Sequence, residues 1–237
     1  MIKIIHQCWF GPNPMPEEHV EYGRKWKELN PDWEFIVWTE NSLPALVNKD
    51  VYDELGIPLS INHRIHPIAL ATQRADVVAY ELVYSYGGLY INTDIEPVKP
   101  LTKLFEDNPE LLTKCGAGWE VPDQWVVNAV LWAPEPFMPF WRICINDLSG
   151  RYFSDRGGYM NGVTGPHLIT AAYRKKPGLL HVFPKETFNP YGFLDVPVGG
   201  VLSYNPDELP ARTVGVHKWA HRTNGRPQTA SVLKEDQ

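Results

Sequence analysis

The chain has 237 residues, with 22 Lys and Arg against 28 Asp and Glu, a net charge of −6 and 43% hydrophobic residues. That length and apolar content suffice for one large core, and the acidic balance gives no basic field for sequence-independent nucleic-acid binding. Cys8, Cys115 and Cys144 are odd in number and lack metal-site spacing, which excludes a disulfide framework and a zinc cluster and reads as reduced thiols in a cytoplasmic protein.

The opening Met1 to Gln7 is apolar only briefly, so no signal peptide is expected, and no run approaches the length of a membrane span. Lys3 to Phe10 reads as a buried first strand, stopped by Gly11-Pro12-Asn13-Pro14. Pro16 and the acidic pair Glu17-Glu18 open a helix ending near Asn30-Pro31, and Trp33 to Trp38 is a second strand. Strand, helix, strand at this spacing is a βαβ unit with a parallel sheet. Ligands of open parallel sheets sit beyond the carboxyl ends of the strands, which places His6, Gln7, Trp9 and Trp38 near a nucleotide pocket. Residues 41–62 read as a short helix and a polar connection.

The most informative stretch is Gln73 to Glu96. Ile68, Ala71, Ala75, Val78, Ala79, Leu82, Val83 and Tyr86 recur at helical spacing. Pro67 suits the first turn of that helix and Gly87-Gly88 its end. Leu89-Tyr90-Ile91 then reads as a buried strand. It opens onto Asn92, Asp94 and Glu96, which share a face if the extended run continues. A core strand that ends in carboxylate and amide groups suits Mg²⁺ or Mn²⁺, which takes oxygen ligands and holds diphosphates.

Cys115 to Val121 and Trp125 to Trp132 read as two further strands, joined by Pro122-Asp123, and Pro136 to Leu148 as an aromatic-rich core helix. Gly150 to Gly162 is a glycine-rich surface loop without the Gly-Lys-Ser/Thr of a phosphate-cradling loop. Val163-Thr164-Gly165-Pro166-His167 opens a helix ending at Arg174-Lys175-Lys176-Pro177. Its free N–H groups suit an anionic or hydroxylated ligand. Leu179 to Phe183 is a strand, and Val214 to Trp219 ends the fold. Residues 222–237 read as a frayed polar tail, which leaves residues 1–221 as the domain.

These segments together resemble the DXD-containing glycosyltransferases of the capsular-polysaccharide type (glycosyltransferase family 32-like), distant relatives of the clostridial toxin glucosyltransferases. Lys3-Ile4-Ile5-His6-Gln7-Cys8-Trp9, Ala75-Asp76, Gly87-Gly88, Tyr90, Asp94, Asn128-Ala129, Thr164-Gly165-Pro166, Phe188-Asn189-Pro190-Tyr191 and His217-x-Trp219 carry the resemblance. Two positions depart from it. Ala79 stands where an Arg is expected, and Asn92 where the first Asp is expected.

The resemblance implies an α/β, GT-A-like single domain with a Rossmann-like, mostly parallel central sheet flanked by helices. It implies metal-dependent, retaining transfer of a sugar from a UDP- or GDP-sugar to a glycan or other hydroxyl acceptor, with nucleic acid disfavoured as acceptor. In that reading Asp94 and Asn92 hold Mn²⁺ or Mg²⁺, with His217 as a late ligand. Asp76 accepts hydrogen bonds from ribose or sugar hydroxyls, and Trp9 or Trp38 stacks on the base. His6, Gln7, Arg74, Gly88, Asn128, Gly165 and Trp219 complete the donor site. Arg74 is expected to replace the guanidinium missing at Ala79, and Glu96 the charge missing at Asn92. Three explanations of the departures stay open: altered donor preference, an Asn92 introduced to trap a complex, or binding without turnover. The last makes the chain a degenerate nucleotide-sugar or glycan-binding module. A metal-dependent phosphohydrolase is a further alternative, and it needs a second cluster of His and Asp ligands.

Overall fold

The computed structural model describes residues 1–11, 13–55, 67–120, 125–154, 160–197 and 200–220. β1 (Ile4–Cys8), α1 (Glu17–Leu29) and β2 (Glu34–Trp38) form the expected βαβ unit, with β1 and β2 parallel from Ile4↔Glu34 to Cys8↔Trp38. Glu17 and Glu18 lie in the first turn of α1, against its positive dipole end, and the helix buries His19, Tyr22, Gly23 and Trp26 as one stripe. α2 (Lys49–Glu54) leads on to α3 (Pro67–Ser85), which is buried all round from Val77 to Val83, as befits a central helix. Glu81 in that run accepts three hydrogen bonds, from the N–H groups of Val47 and Asn48 and from Asn48 Nδ2, so its charge is not left bare.

Gly87 and Gly88 have φ of 69° and 85°, and a Cβ on Gly88 would lie 2.6 Å from the Ile4 carbonyl oxygen. Only glycine lets the chain leave α3 and enter the sheet there. The chain continues through β3 (Gly88–Ile91), β4 (Ile95–Pro97), α4 (Thr102–Asp107), β5 (Cys115–Glu120), β6 (Trp125–Ala133), α5 (Pro139–Ser154), α6 (Met160–Val163), α7 (Pro166–Lys175), β7 (Leu180–Val182) and β8 (Gly215–His217).

Six strands form one sheet in the order β2-β1-β3-β6-β5-β7. β6 runs antiparallel to both neighbours and the other pairs are parallel, so the sheet is mixed and mostly parallel, as expected. Side chains alternate across β3. Tyr90 joins the core of α3, α5 and α7, with Val78, Leu131, Trp141 and Leu168. Leu89 and Ile91 join the opposite core, with Ile5, Trp26, Trp132 and Phe183. β4 and β8 form a second, antiparallel pair that aligns Ile95 with His217. This pairing brings a late segment of the chain against the loop that leaves β3.

α5 runs through Gly150 to Ser154, so the start of the expected glycine-rich loop is helix; residues 155–159 lie outside the described residues. The Pro122-Asp123 connection and the polar tail from 222 also lie outside them.

Candidate active site

At Ile91 the chain turns rather than extends. The Ile95 N–H donates to the Asn92 carbonyl at 3.3 Å, with Thr93 and Asp94 in the turn. Asn92, Asp94 and Glu96 therefore do not line one strand face, which corrects the expectation. The turn is braced from three elements. The Asn92 N–H donates to the Ala129 carbonyl at 2.8 Å, Gln7 Nε2 reaches the Asn92 carbonyl at 3.5 Å, and Thr93 Oγ1 lies 3.1 Å from His19 Nδ1. Asn92 Oδ1 accepts the Tyr90 hydroxyl at 3.1 Å. Glu96 accepts the Tyr204 hydroxyl at 2.8 Å and is paired with Lys218 at 3.4 Å and Lys25 at 3.7 Å. Two cations already hold that carboxylate, so Glu96 does not replace the charge missing at Asn92.

Asp94 is buried, with 8% of its surface exposed. Its Oδ1 lies 3.3 Å from His217 Nε2, its Oδ2 accepts the Ala220 N–H at 3.0 Å, and its carbonyl accepts the Lys218 N–H at 2.9 Å. Burial pushes the carboxyl up, but His217, the Ala220 N–H and His19 more than offset it and hold the group well below the usual carboxylate range. The His217 ring stacks on Trp219 at 4.0 Å, and Trp219 sits at φ 52°, a conformation costly for a bulky residue.

An ionised carboxylate oxygen and an imidazole nitrogen 3.3 Å apart fit neighbouring ligands of one divalent cation, which with bonds near 2.1 Å lie about 3 Å apart. Asn92 Oδ1 keeps a second lone pair beside the bond from Tyr90. Among the described residues no three His, Cys, Asp or Glu side chains are grouped to hold a metal alone. The donor set therefore fits a cation that takes its remaining ligands from diphosphate and water, a habit of Mg²⁺.

A second carboxylate joins α3, β6 and the segment before α7. Asp76 on α3 accepts Asn128 Nδ2 of β6 at 2.7 Å and the Thr164 hydroxyl at 2.8 Å. Thr164 precedes Gly165, the N-cap of α7. Burial pushes the Asp76 carboxyl up to about 7, against both hydrogen bonds. Trp9 follows β1, donates Nε1–H to the Asn13 carbonyl at 2.8 Å, and stands edge-on to His19 at 5.9 Å. Since His19 touches Thr93, Trp9 is linked through it to the turn that holds Asp94. Fully buried Gln7 supports that turn through the Asn92 backbone.

Four expected donor contacts fall elsewhere. His6 is fully buried; its Nδ1 accepts Trp38 Nε1–H at 3.2 Å and its Nε2–H donates to the Gly87 carbonyl at 2.9 Å. Burial lowers its pKa to about 4. His6 is a neutral bracket with no nitrogen left for a ligand. The Trp38 ring packs on Tyr86 at 5.7 Å, at the end of β3 opposite Asp94. Gly88 begins β3 at that same far end, so its role is conformational. The Arg74 guanidinium lies 4.4 Å over the Tyr52 ring, and its Nε donates to the Tyr52 carbonyl at 3.2 Å. Two residues before Asp76 on a helix, it is turned about 200° away from it. It does not replace the guanidinium missing at Ala79, which is fully buried.

Sequence reasoning missed His19 and Asn189. His19 belongs to no motif in the sequence, and only the fold brings it to Thr93. Asn189, 3.2 Å from His217 Nδ1, stood out only as the middle of Phe188-Asn189-Pro190.

Comparison with known proteins bears on the family region and on the fold. Residues 16–111 match the family described as the glycosyltransferase sugar-binding region containing the DXD motif. The chain is 36% identical over 93 residues to inositol phosphoceramide mannosyltransferase 3 of Schizosaccharomyces pombe; the match covers 39% of this chain and 24% of that protein. Among solved structures, the PaToxG glycosyltransferase aligns with a TM-score of 0.55 at 17% identity, over 75% of this chain and 70% of that one. A glycosyltransferase involved in glycosylation of the major capsid of PBCV-1 aligns with a TM-score of 0.53 at 12% identity, over 95% of this chain and 98% of that one.

The cytoplasmic expectation does not stand. The curated relative is named for a ceramide, a membrane lipid. The three cysteines on which the expectation rested are buried small apolar side chains, whose unpaired state carries no compartment signal. Among the described residues no helix is long and apolar enough to cross a membrane. Residues 16–111 are thus similar to a DXD-type glycosyltransferase sugar-binding region, and the chain has a fold of the GT-A kind.

Proposed function

We propose that the protein is a metal-dependent, retaining glycosyltransferase that moves a sugar from a UDP- or GDP-sugar to a hydroxyl acceptor. The observation that carries the proposal is the buried, ionised Asp94 facing His217, on the turn that ends the central strand of the matched region. Asp94 and His217, with Asn92 beside them, would hold Mn²⁺ or Mg²⁺. Such a cation stabilises the charge on a departing diphosphate, a contribution of several kcal/mol. Asp76, aimed by Asn128 and Thr164, accepts hydroxyls of the ribose or sugar, at roughly 1.5–3 kcal/mol per charged hydrogen bond. Trp9 offers its ring to the base. Trp219 covers His217, and the N-terminus of α7 at Gly165 faces the donor. In retaining chemistry the leaving phosphate takes the acceptor's proton, so no side chain is assigned as general base.

The relative's named acceptor is a polyol on a lipid. A lipid-linked or free saccharide hydroxyl is therefore the acceptor class we propose, with nucleic acid disfavoured by the net charge of −6. Asn92 and the buried Ala79 favour one second reading, a nucleotide-sugar-binding module without turnover.

A panel of UDP- and GDP-sugars with Mn²⁺ or Mg²⁺, read by sugar release and by transfer to saccharide and glycolipid acceptors, separates the two readings. Metal-dependent turnover that falls at least about 100-fold in Asp94→Ala supports the transferase. Tight donor binding with no sugar released supports the module. Neither binding nor turnover with any donor overturns both.

A further inference from the structure

We infer that Trp125, Arg151, His167 and Arg174 form a subsite for an anionic saccharide, the acceptor of the transfer, beside the Asp76 pocket. Its role as acceptor site rests on the transferase reading; the binding of such a saccharide does not. Two segments that meet at Asp76 also build this cluster. Asn128 and Thr164 bind the carboxylate; Trp125 lies three residues before the one, and His167 three after the other. β6 runs antiparallel to β3, with Ile91 opposite Val130, so its start projects past the end of β3, where the chain turns to Asp94. At about 3.3 Å per residue, Trp125 stands roughly 10 Å beyond Asn128. The Trp125 ring stacks on His167 at 4.2 Å, and the Arg174 guanidinium lies 5.5 Å from its centre. His167 and Arg174 are two turns apart on α7, about 10 Å, so the indole is clamped between them. Arg151 comes from α5. Its guanidinium donates to the Gly162 carbonyl at 3.3 Å, and a Cβ on Gly162 would lie 3.7 Å from His167 Nδ1.

Little of this donor capacity is spent inside the protein. Trp26, Trp132 and Trp141 donate their indole N–H to carbonyls, whereas that of Trp125 meets no acceptor among the described residues. Lys175, next to Arg174, pairs with Asp147 on α5, while Arg174 pairs with no carboxylate among the described residues. Arg151, four residues after Asp147, is left with its one carbonyl contact. Glu120, across the ladder from Trp125, pairs with neither guanidinium. Burial and both guanidiniums hold the His167 imidazole below its ordinary pKa, so at neutral pH it adds one N–H donor to theirs. The result is a patch of N–H donors with two fixed positive charges, in a chain of net charge −6. Screening confines the repulsion from distant carboxylates to about 10 Å, so the local charges decide what docks. Guanidinium forks match the oxygens of a carboxylate or phosphate. Continuity with the Asp76 pocket makes the bearer of that anion a saccharide that reaches from one to the other.

The test uses the full chain labelled with ¹⁵N-tryptophan and needs no turnover. The Trp125 indole N–H signal is identified by its loss in Trp125→Phe. Methyl glucuronide and a phosphorylated methyl glucoside should shift it, and the tighter of the two names the anionic group. Plain methyl glucoside and inorganic phosphate should each bind at least about fivefold more weakly. Arg151→Gln and Arg174→Gln should each weaken the anionic glycosides about fivefold, as loss of one partly solvated charge contact does. Neither variant should change nucleotide-sugar affinity. An unmoved Trp125 signal overturns the inference, as do equal binding of the neutral glucoside and Arg variants with wild-type affinity. Inorganic phosphate that binds as tightly as the glycosides means an adventitious ion only and overturns it too. Should Arg151→Gln not fold, Arg174→Gln decides, since Arg174 is exposed on α7. Glycoside binding at Trp125 in a protein that takes no nucleotide sugar refutes the transferase reading and leaves this site standing. Transfer to neutral acceptors, with the Trp125 signal unmoved by anions, does the reverse.

Discussion

Replacing Asp76 with Asn should stabilise the protein at pH 8 far more than at pH 4. Burial raises this carboxyl from 3.8 to about 7. Three pKa units at 1.36 kcal/mol each come to about 4 kcal/mol, and the site is not sealed from solvent, so about 2 kcal/mol is the working figure. The folded pKa lies above the unfolded one, so the native state keeps a proton that the unfolded chain has lost. The stability contributed by the neutral form is complete below pH 4 and is lost as pH rises through 7. An Asn side chain preserves the local network, because its oxygen accepts from Asn128 and its NH₂ donates to the Thr164 hydroxyl, which rotates. Thermal unfolding of both proteins from pH 4 to 8 tests this. The gap in Tm should widen with pH by about 4–8 °C for a chain of this size. A gap constant with pH would refute the reasoning. The same variant should bind the nucleotide sugar roughly 10- to 100-fold more weakly, through loss of a charged hydrogen bond.

Asn92→Asp restores a second carboxylate beside Asp94 and should tighten Mn²⁺ and raise donor hydrolysis; an unchanged rate removes Asn92 from the cation site. Gly88→Ala should cost at least about 2 kcal/mol in urea unfolding, from left-handed strain and a Cβ placed 2.6 Å from the Ile4 carbonyl oxygen. Trp9→Ala should raise KM for the donor about tenfold, as loss of one base–aromatic stack implies, and leave Mn²⁺ affinity alone. Equal KM values would take Trp9 out of the base site.

The βαβ start, the central helix, its Gly-Gly exit and β3 were legible because each rests on local periodicity and on residues with strong backbone preferences. Asp94 was legible from the polar end of a core strand and from the motif resemblance, His217 from the resemblance alone, since nothing local says that β8 pairs with β4. The face shared by Asn92, Asp94 and Glu96 was misread because alternation holds only while a strand lasts. This one ends at Ile91, and Glu96 then meets Lys25 and Lys218, partners far away in sequence. His6 and Trp38 were misassigned for a related reason. Strand position puts them at the correct edge of the sheet, but their polar atoms turn to each other and to the carbonyl of Gly87. Arg74 has the right charge on the right helix, yet helical pitch turns it away from Asp76.

The buried Asp94 and the half-buried Asp76 show how environment divides labour between identical groups. Asp94 and Asp76 both lose water, which alone would raise both. Asp94 is compensated by an imidazole, a backbone N–H and a second histidine, and stays ionised. Asp76 receives only a neutral amide and a neutral hydroxyl, and is left titrating near 7. A group that must hold a cation needs permanent charge. A group that must accept hydroxyls of an arriving donor need only become fully charged once those donors are present. Environments that push two titratable groups apart mark different roles. On that ground Asp94 suits the proposed cation and Asp76 the proposed hydroxyl contacts, because only Asp94 has a histidine beside it.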